Sequence, residues 1–388
     1  MSNFDINKFI NPTVMGMKPS GIRKFFDIVN TMDDAISLGV GEPDFITPWH
    51  IRDAGIYSLE KGRTYYTSNS GLLELREEIC NYLKKFDLSY NSDEVLVTVG
   101  GSEAIDLAMR TILTPGDEVI IHEPSFVCYK PCALMAGAMP VVIQTKAEDG
   151  FKLKGKDLLE KITDRTKLLV LSYPNNPTGA VMTKEDLEEI AKIVIAKNIM
   201  VISDEIYAEL TYSGKHCSIA SLPGMKERTV VVNGFSKAFA MTGWRLGYLA
   251  AGKTLVKQIT KVHQYAIMCS PTTSQYAAVE ALKNGEESIK AMVAEYSDRR
   301  KIITDGFDKM GFPCFSPNGA FYIFPSIKRS GLSSEEFCER LLREEKVALV
   351  PGTAFGESGE GYVRVSYAYS VAQINAALER IKKFADRI

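Results

Sequence analysis

An excess of charge of either sign is missing from this chain. Its 46 Lys and Arg nearly balance 48 Asp and Glu, leaving a formal net charge of -2 over 388 residues. Neither a nucleic acid nor a membrane is therefore expected as a partner. No uninterrupted apolar run approaches the roughly 20 residues that a membrane helix needs. Met1 to Ser20 lacks a basic-then-apolar signal pattern, so the expected compartment is the cytoplasm. The seven cysteines (Cys80, Cys128, Cys132, Cys217, Cys269, Cys314 and Cys338) include no Cys-x-x-Cys pair. That argues against a disulfide framework and a zinc site, and the four histidines lie far apart in sequence. No Gly-x-x-x-x-Gly-Lys-Ser/Thr phosphate loop and no Gly-x-Ser-x-Gly elbow occur, and Gly39-Val-Gly41 runs into Glu-Pro-Asp without the third glycine of a dinucleotide fingerprint.

What is present is a regular alternation. Short β-branched or apolar runs at Glu94–Val99, Glu118–His122, Met139–Gln144, Lys167–Ser172, Asn198–Ser203, Thr229–Asn233 and Arg245–Ala251 read as seven strands. Runs such as Leu168-Leu-Val-Leu171 suit strands covered on both faces, hence a mostly parallel sheet. Between them, Ile105, Ala108, Met109 and Ile112 repeat at helical spacing, as do Leu187, Ile190, Ala191 and Val194 behind the capping-box pattern Thr183-Lys-Glu-Asp186. The expected fold class is α/β: a large domain with a mostly parallel seven-stranded sheet flanked by helices, over 46–284. A chain of this length exceeds one core. A smaller α+β domain is expected from both termini, 1–45 and 285–388, with helices over Ser274–Met310 (broken near Asn284-Gly285), Ser334–Glu345 and Ala372–Asp386. Its strands are expected at Ala320–Phe324, Val347–Val350 and Tyr362–Ser366.

Polar motifs follow strand after strand: Gly100-Gly-Ser-Glu-Ala104, Glu123-Pro-Ser-Phe126, Tyr173-Pro-Asn-Asn-Pro-Thr-Gly179, Asp204-Glu-Ile-Tyr207 and Ser236-Lys237. Ligands of open α/β sheets bind beyond the carboxyl ends of the strands, so five such motifs on one edge would build one site. Taken singly, Gly100-Gly101 is a turn and Asp204 a helix cap; together they suggest a phosphate cradle and a carboxylate facing a pyridinium nitrogen. Lys237 at the end of a buried strand suits a Schiff base with an aldehyde cofactor, whose phosphate Ser236 and Arg245 would hold.

With these residues in view, the chain resembles the fold-type I pyridoxal-phosphate enzymes of the class I/II aminotransferases. The resemblance runs from Ser20-Gly-Ile-Arg-Lys-Phe25 to Arg364-Val-Ser366 through Gly41-Glu-Pro-Asp-Phe45, Tyr66…Gly71…Glu74-Leu-Arg76 and Met241-Thr-Gly-Trp-Arg-Leu-Gly247. Within that family it is most similar to the aspartate, aromatic and N-acetyl-L,L-diaminopimelate subgroup, the last through Lys261-Val-His-Gln-Tyr265 and Ser316–Lys328. The resemblance implies pyridoxal 5'-phosphate as cofactor and an amino acid and a 2-oxo acid, here 2-oxoglutarate, as substrates. It implies that Lys237 is the Schiff-base lysine and proton shuttle, and that Asp204 pairs with the pyridinium nitrogen. Asn176 and Tyr207 would bond the ring's phenolic oxygen, and Phe126 would stack on the ring. Arg245, Ser236 and the amides of Gly101, Ser102 and Glu103 would bind the phosphate. Tyr66 would reach it from the neighbouring subunit, which implies a homodimer with shared active sites. Arg364 would clamp the substrate carboxylate, beside Gly41 and Asn176, and Pro124 and Pro177 would follow cis bonds. Ser102 stands where some aspartate-specific relatives carry lysine, which argues against strict aspartate specificity. Two other readings of the same cofactor are a carbon–sulfur lyase and a non-catalytic sensor, the latter usually with a DNA-binding module for which this chain leaves no room.

Overall fold

The computed structural model describes residues 4–19, 21, 32 and 34–388. Apart from Gly21, the stretch Ser20–Phe25 lies outside the described residues. The main sheet is built from β2 (Val95–Thr98), β3 (Glu118–Glu123), β4 (Met139–Gln144), β5 (Thr166–Ser172), β6 (Met200–Asp204), β7 (Thr229–Gly234) and β8 (Gly247–Ala250), after a short β1 (Ile36–Ser37). Its order is β2-β8-β7-β6-β5-β3-β4, and β8 alone runs antiparallel to its neighbours. Every residue of β3 and of β7 is buried, as expected of strands covered by helices on both faces. The helix Gly101–Ile112 turns Ala104, Ile105, Leu107, Ala108 and Met109 inward. Thr183 and Asp186 form the expected capping box ahead of the helix Lys184–Ala196.

All seven expected strands form, with shifted edges where the backbone leaves the extended region. Asn198 has a φ of 51° and belongs to the turn before β6. Arg245 likewise has a φ of 52° and closes a short turn at Thr242–Trp244 instead of opening β8. The Val347–Val350 run divides between two sheets: β10 (Val347–Ala348) pairs parallel with β1, while β11 (Val350–Pro351) pairs antiparallel with β12 (Val363–Ser366). β9 (Tyr322–Ile323) completes that second sheet on the other side of β12. The long C-terminal helical stretch breaks at Gly285, between Thr272–Asn284 and Glu286–Lys309. A separate apolar cluster joins Leu38 to Phe307, Phe321, Phe337, Val363 and Phe384, and reaches the main sheet through Tyr207 and Leu210.

Candidate active site

A cavity of about 450 Å3 opens at the carboxyl ends of β2, β3, β5, β6 and β7. Among the expected residues, Gly41, Gly101, Ser102, Phe126, Asn176, Asp204, Tyr207, Ser236, Lys237, Arg245 and Arg364 all line it. Two do not. The Glu103 side chain turns away toward Val99 and His263, leaving only its backbone at the helix start. Tyr66 is 80% exposed on the outside of this chain. The cis bonds expected before Pro124 and Pro177 are present, with a third before Pro174.

Asp204 is the last residue of β6 and is buried. Burial pushes its carboxyl up to about 6, against the pull of the Tyr129 hydroxyl and the Ile206 amide. The Tyr129 hydroxyl donates to Asp204 Oδ2 at 2.7 Å and lies 2.9 Å from Ser172 Oγ. A phenol has one proton, so with that proton on the carboxylate the serine donates to the phenol. Across the cavity, Lys237 Nζ donates to the Gly41 carbonyl at 2.6 Å. Desolvation lowers its ammonium to about 8, opposed by Glu42 and helped by Arg364 and Arg245.

Arg364, on β12, is buried between the Tyr322 ring, 4.4 Å from its guanidinium carbon, and the Phe355 ring at 4.7 Å. One terminal nitrogen donates to Asn176 Oδ1 at 2.9 Å and the other to the Gly39 carbonyl at 2.6 Å, while Nε is buried with no partner among the described residues. A buried, unpaired guanidinium nitrogen beside a cavity is what an incoming carboxylate would satisfy. The Tyr207 and Tyr322 hydroxyls sit 2.8 Å apart. Gly41 must be glycine here, because a Cβ would fall 2.3 Å from the Tyr322 hydroxyl. Tyr129, Ser172, Tyr322, Glu42 and Thr242 also belong to the lining, though no role was expected of them. Tyr322 lies within the Ser316–Lys328 stretch, whereas Tyr129 and Ser172 carry no sequence pattern that marks them.

At the helix start, Gly100 combines a φ of 81° with a close approach, since a Cβ there would lie 2.7 Å from an Arg245 guanidinium nitrogen. No side chain caps this helix, so its first amides are left toward the cavity, where Gly101 and Ser102 form part of the wall. Among the described residues no group of three or more His, Cys, Asp or Glu could hold a metal ion, and no helix is long and apolar enough to cross a membrane.

The family model for aminotransferase class I and II matches residues 33–381. The chain belongs to this family. The aminotransferase is 54% identical to a Bacillus subtilis (strain 168) protein named as a putative aminotransferase, YugH, over 98% of this chain and 99% of that one. It is 47% identical to the aspartate aminotransferase of Pyrococcus abyssi, over 95% of this chain and 96% of that protein. A Bacillus subtilis protein named as a probable N-acetyl-LL-diaminopimelate aminotransferase is 44% identical, over 97% of this chain and 95% of its own. The crystal structure of an aromatic aminotransferase from Pyrococcus horikoshii superposes with a TM-score of 0.90 at 45% identity, covering 94% of this chain and 99% of that one. Pyridoxal phosphate is the cofactor of this family, and the donor set fits it. A buried carboxylate that needs a cation, a lysine of lowered basicity, and a guanidinium beside free helix-start amides all open on one cavity.

The aminotransferase freed of cofactor should reveal the strain on Asp204. Below pH ~4 the carboxyl is neutral in folded and unfolded chains alike, and burial costs nothing extra. As pH rises through 6 the folded chain must hold a buried anion, and this part of its stability is lost. Asp204→Asn is therefore expected to stabilise the cofactor-free protein at pH 8 by up to about 3 kcal/mol, with the gain vanishing at pH 4. Urea melts at the two pH values check this, and an equal effect at both would remove the burial cost from Asp204.

Proposed function

We propose that the enzyme transfers the amino group of an L-amino acid to a 2-oxo acid, with 2-oxoglutarate as acceptor, in two half-reactions that share one cavity. The candidate donors are N-acetyl-L,L-diaminopimelate, aspartate and aromatic amino acids, and Ser102 favours a range wider than aspartate alone. The observation that carries the reading is the convergence of Lys237, Asp204 and Arg364 on that cavity. Bound pyridoxal phosphate supplies an aldehyde and an electron-withdrawing ring. Lys237 Nζ, with its basicity lowered by burial, would take the proton from the donor's α-carbon in the first half-reaction and deliver one to the acceptor's α-carbon in the second. Asp204, held by Tyr129, would stabilise a positive charge at the ring nitrogen. Arg364 grips the substrate α-carboxylate and so orients the α-hydrogen toward Lys237. Asn176 and Tyr207 would bond the ring's phenolic oxygen, Phe126 would cover its face, and Ser236, Arg245 and the amides of Gly101, Ser102 and Glu103 would hold the phosphate.

The active unit in this reading is a cytoplasmic homodimer to which Tyr66 of each subunit brings a hydroxyl for the other's phosphate. Support comes from large apolar side chains left exposed on this chain, Ile46, Trp49, Tyr57, Tyr65, Tyr265 and Met268. Two of the segments that carry them, around Tyr65 and around Met268, are tied together where Asn69 donates to the Met268 carbonyl and Thr272 to the Tyr65 carbonyl. Residues 1–45 and 285–388 are read as a smaller unit, supported by the β1–β10 pairing and the cluster around Phe321. A screen of amino donors against 2-oxoglutarate, following glutamate, tests the function. Glutamate from at least one candidate class is expected. Its absence with every donor, together with pyruvate and ammonia from a cysteine conjugate without any acceptor, would replace transfer by elimination.

A further inference from the structure

Glu103 is the third residue of the helix that opens the cavity, where a glutamate commonly folds back onto the cap residue's amide. Here it reaches one residue further. The Gly100 amide is already spent on the Thr98 carbonyl at 2.9 Å, and Glu103 Oε2 accepts from the Val99 amide at 2.5 Å. Its other oxygen, Oε1, lies 2.8 Å from His263 Nδ1. His263 is fully buried on the helix Lys253–Ala266, in the Lys261–Tyr265 stretch to which no role has yet been given. Its Nε2 is buried without a partner among the described residues, a cost that an apolar residue in its place would avoid. The imidazole is thus held in place by one polar contact, the one to Glu103. The carboxylate in turn closes a loop whose enclosed residues are Gly100, Gly101 and Ser102.

The opposite side of that loop is also walled. A Cβ on Gly247 would lie 2.7 Å from the Gly100 carbonyl carbon, and the Arg245 guanidinium crowds Gly100 itself. The loop is therefore gripped between the start of β8 and the Glu103 tether. A carboxylate so near a phosphate site would repel the ligand if it faced inward. Both of its oxygens are instead committed to donors outside the cavity.

We propose that the Glu103 side chain, clamped between the Val99 amide and His263, is a positioning residue that sets the shape of the phosphate loop Gly100–Ser102. This rests on the reading of that loop as the phosphate cradle. The Glu103 backbone amide belongs to the cradle in that reading; the inference concerns its side chain, which acts through the loop and touches no ligand.

The test compares binding of pyridoxal phosphate and of pyridoxal, which lacks the phosphate, to the cofactor-free protein by equilibrium dialysis. Glu103→Ala is expected to weaken pyridoxal phosphate by about 10-fold while leaving pyridoxal within about 2-fold, the scale of losing a helix-start side-chain bond. Glu103→Gln keeps an acceptor for Val99 and offers its amide to the other tautomer of His263, and is expected to stay within about 3-fold of the parent for both ligands. Should Glu103→Ala fail to fold, Glu103→Asp, one methylene too short to reach both partners, is expected to lose selectivity for the phosphate several-fold. Arg245→Ala is the reference. If it abolishes the preference for pyridoxal phosphate over pyridoxal while a folded Glu103→Ala or Glu103→Asp keeps it, the positioning role is overturned and the cradle stands. If Arg245→Ala keeps the preference as well, the cradle itself is misplaced.

Discussion

Lys237→Ala is expected to lower turnover by at least about 10^4-fold, because under the proposed function it removes both the amine that joins the cofactor and the base that serves the α-carbon. The geometry behind the number is the direct exposure of Nζ to the cavity at 2.6 Å from the Gly41 carbonyl, with desolvation lowering its basicity to about 8. The measurement is glutamate production from 2-oxoglutarate and the best donor, with cofactor occupancy followed separately by dialysis. Arg245, Ser236 and the loop at Gly101 remain in the variant, so the phosphate should still bind and the loss should fall on chemistry. Added methylamine can carry a proton in place of the missing side chain and is expected to restore a small part of the rate. A variant that kept a tenth of the parent rate would place the base elsewhere.

Arg364→Ala is expected to cut kcat/KM by roughly 100- to 1,000-fold through KM, the scale of losing a buried, charge-assisted carboxylate clamp. Pyridoxal phosphate affinity should change little, since Arg364 sits on β12, apart from the phosphate loop. Arg364→Lys should recover little of the loss. An ammonium cannot donate in parallel from a planar fork, nor fill the slot between the faces of Tyr322 and Phe355. Steady-state kinetics with one donor at varied concentration separate the cases. A fall in kcat at unchanged KM would show that Arg364 supports the fold around Asn176 and Gly39, and that the substrate carboxylate binds elsewhere. Thermal melts of the variant quantify that support, because the removed side chain also leaves Asn176 Oδ1 and the Gly39 carbonyl without their donor.

The sheet was legible because burial on both faces writes itself as runs like Leu168–Leu171 and Thr229–Asn233, and each of the seven runs is a strand. The break at Gly285 and the capping box at Thr183 were legible because they are local chemistry. The split of Val347–Val350 between two sheets was not, because it is decided by partners outside the run, β1 near the other end of the chain and β12 just beyond it. The same reason hid parts of the site. Lys237, Asp204 and Arg245 announce themselves by charge in apolar surroundings, whereas Tyr129 looks like any core aromatic until Asp204 is placed 2.7 Å from its hydroxyl. Glu103 lies within a legible motif, yet its side chain faces His263, a contact that no spacing encodes.

The one reversed strand has a further effect on how this site can vary. β7 and β8 are neighbours with Gly234 paired to Gly247, so Lys237 and Arg245 stand on the two legs of a single hairpin connection. Under the proposed function, that connection acts as a ruler between the reactive amine and the phosphate anchor. Side chains inside it, such as Phe239 and Met241, can be exchanged for others of like volume. Adding or deleting a residue would move one anchor relative to the other or slip the Gly234–Gly247 register, and a slip of one turns each strand's side chains to the opposite face. Between its two anchors, sequence drift in this hairpin is thus open to exchanges of like volume and closed in length, so homologous chains that share the chemistry should differ there by substitution and not by insertion.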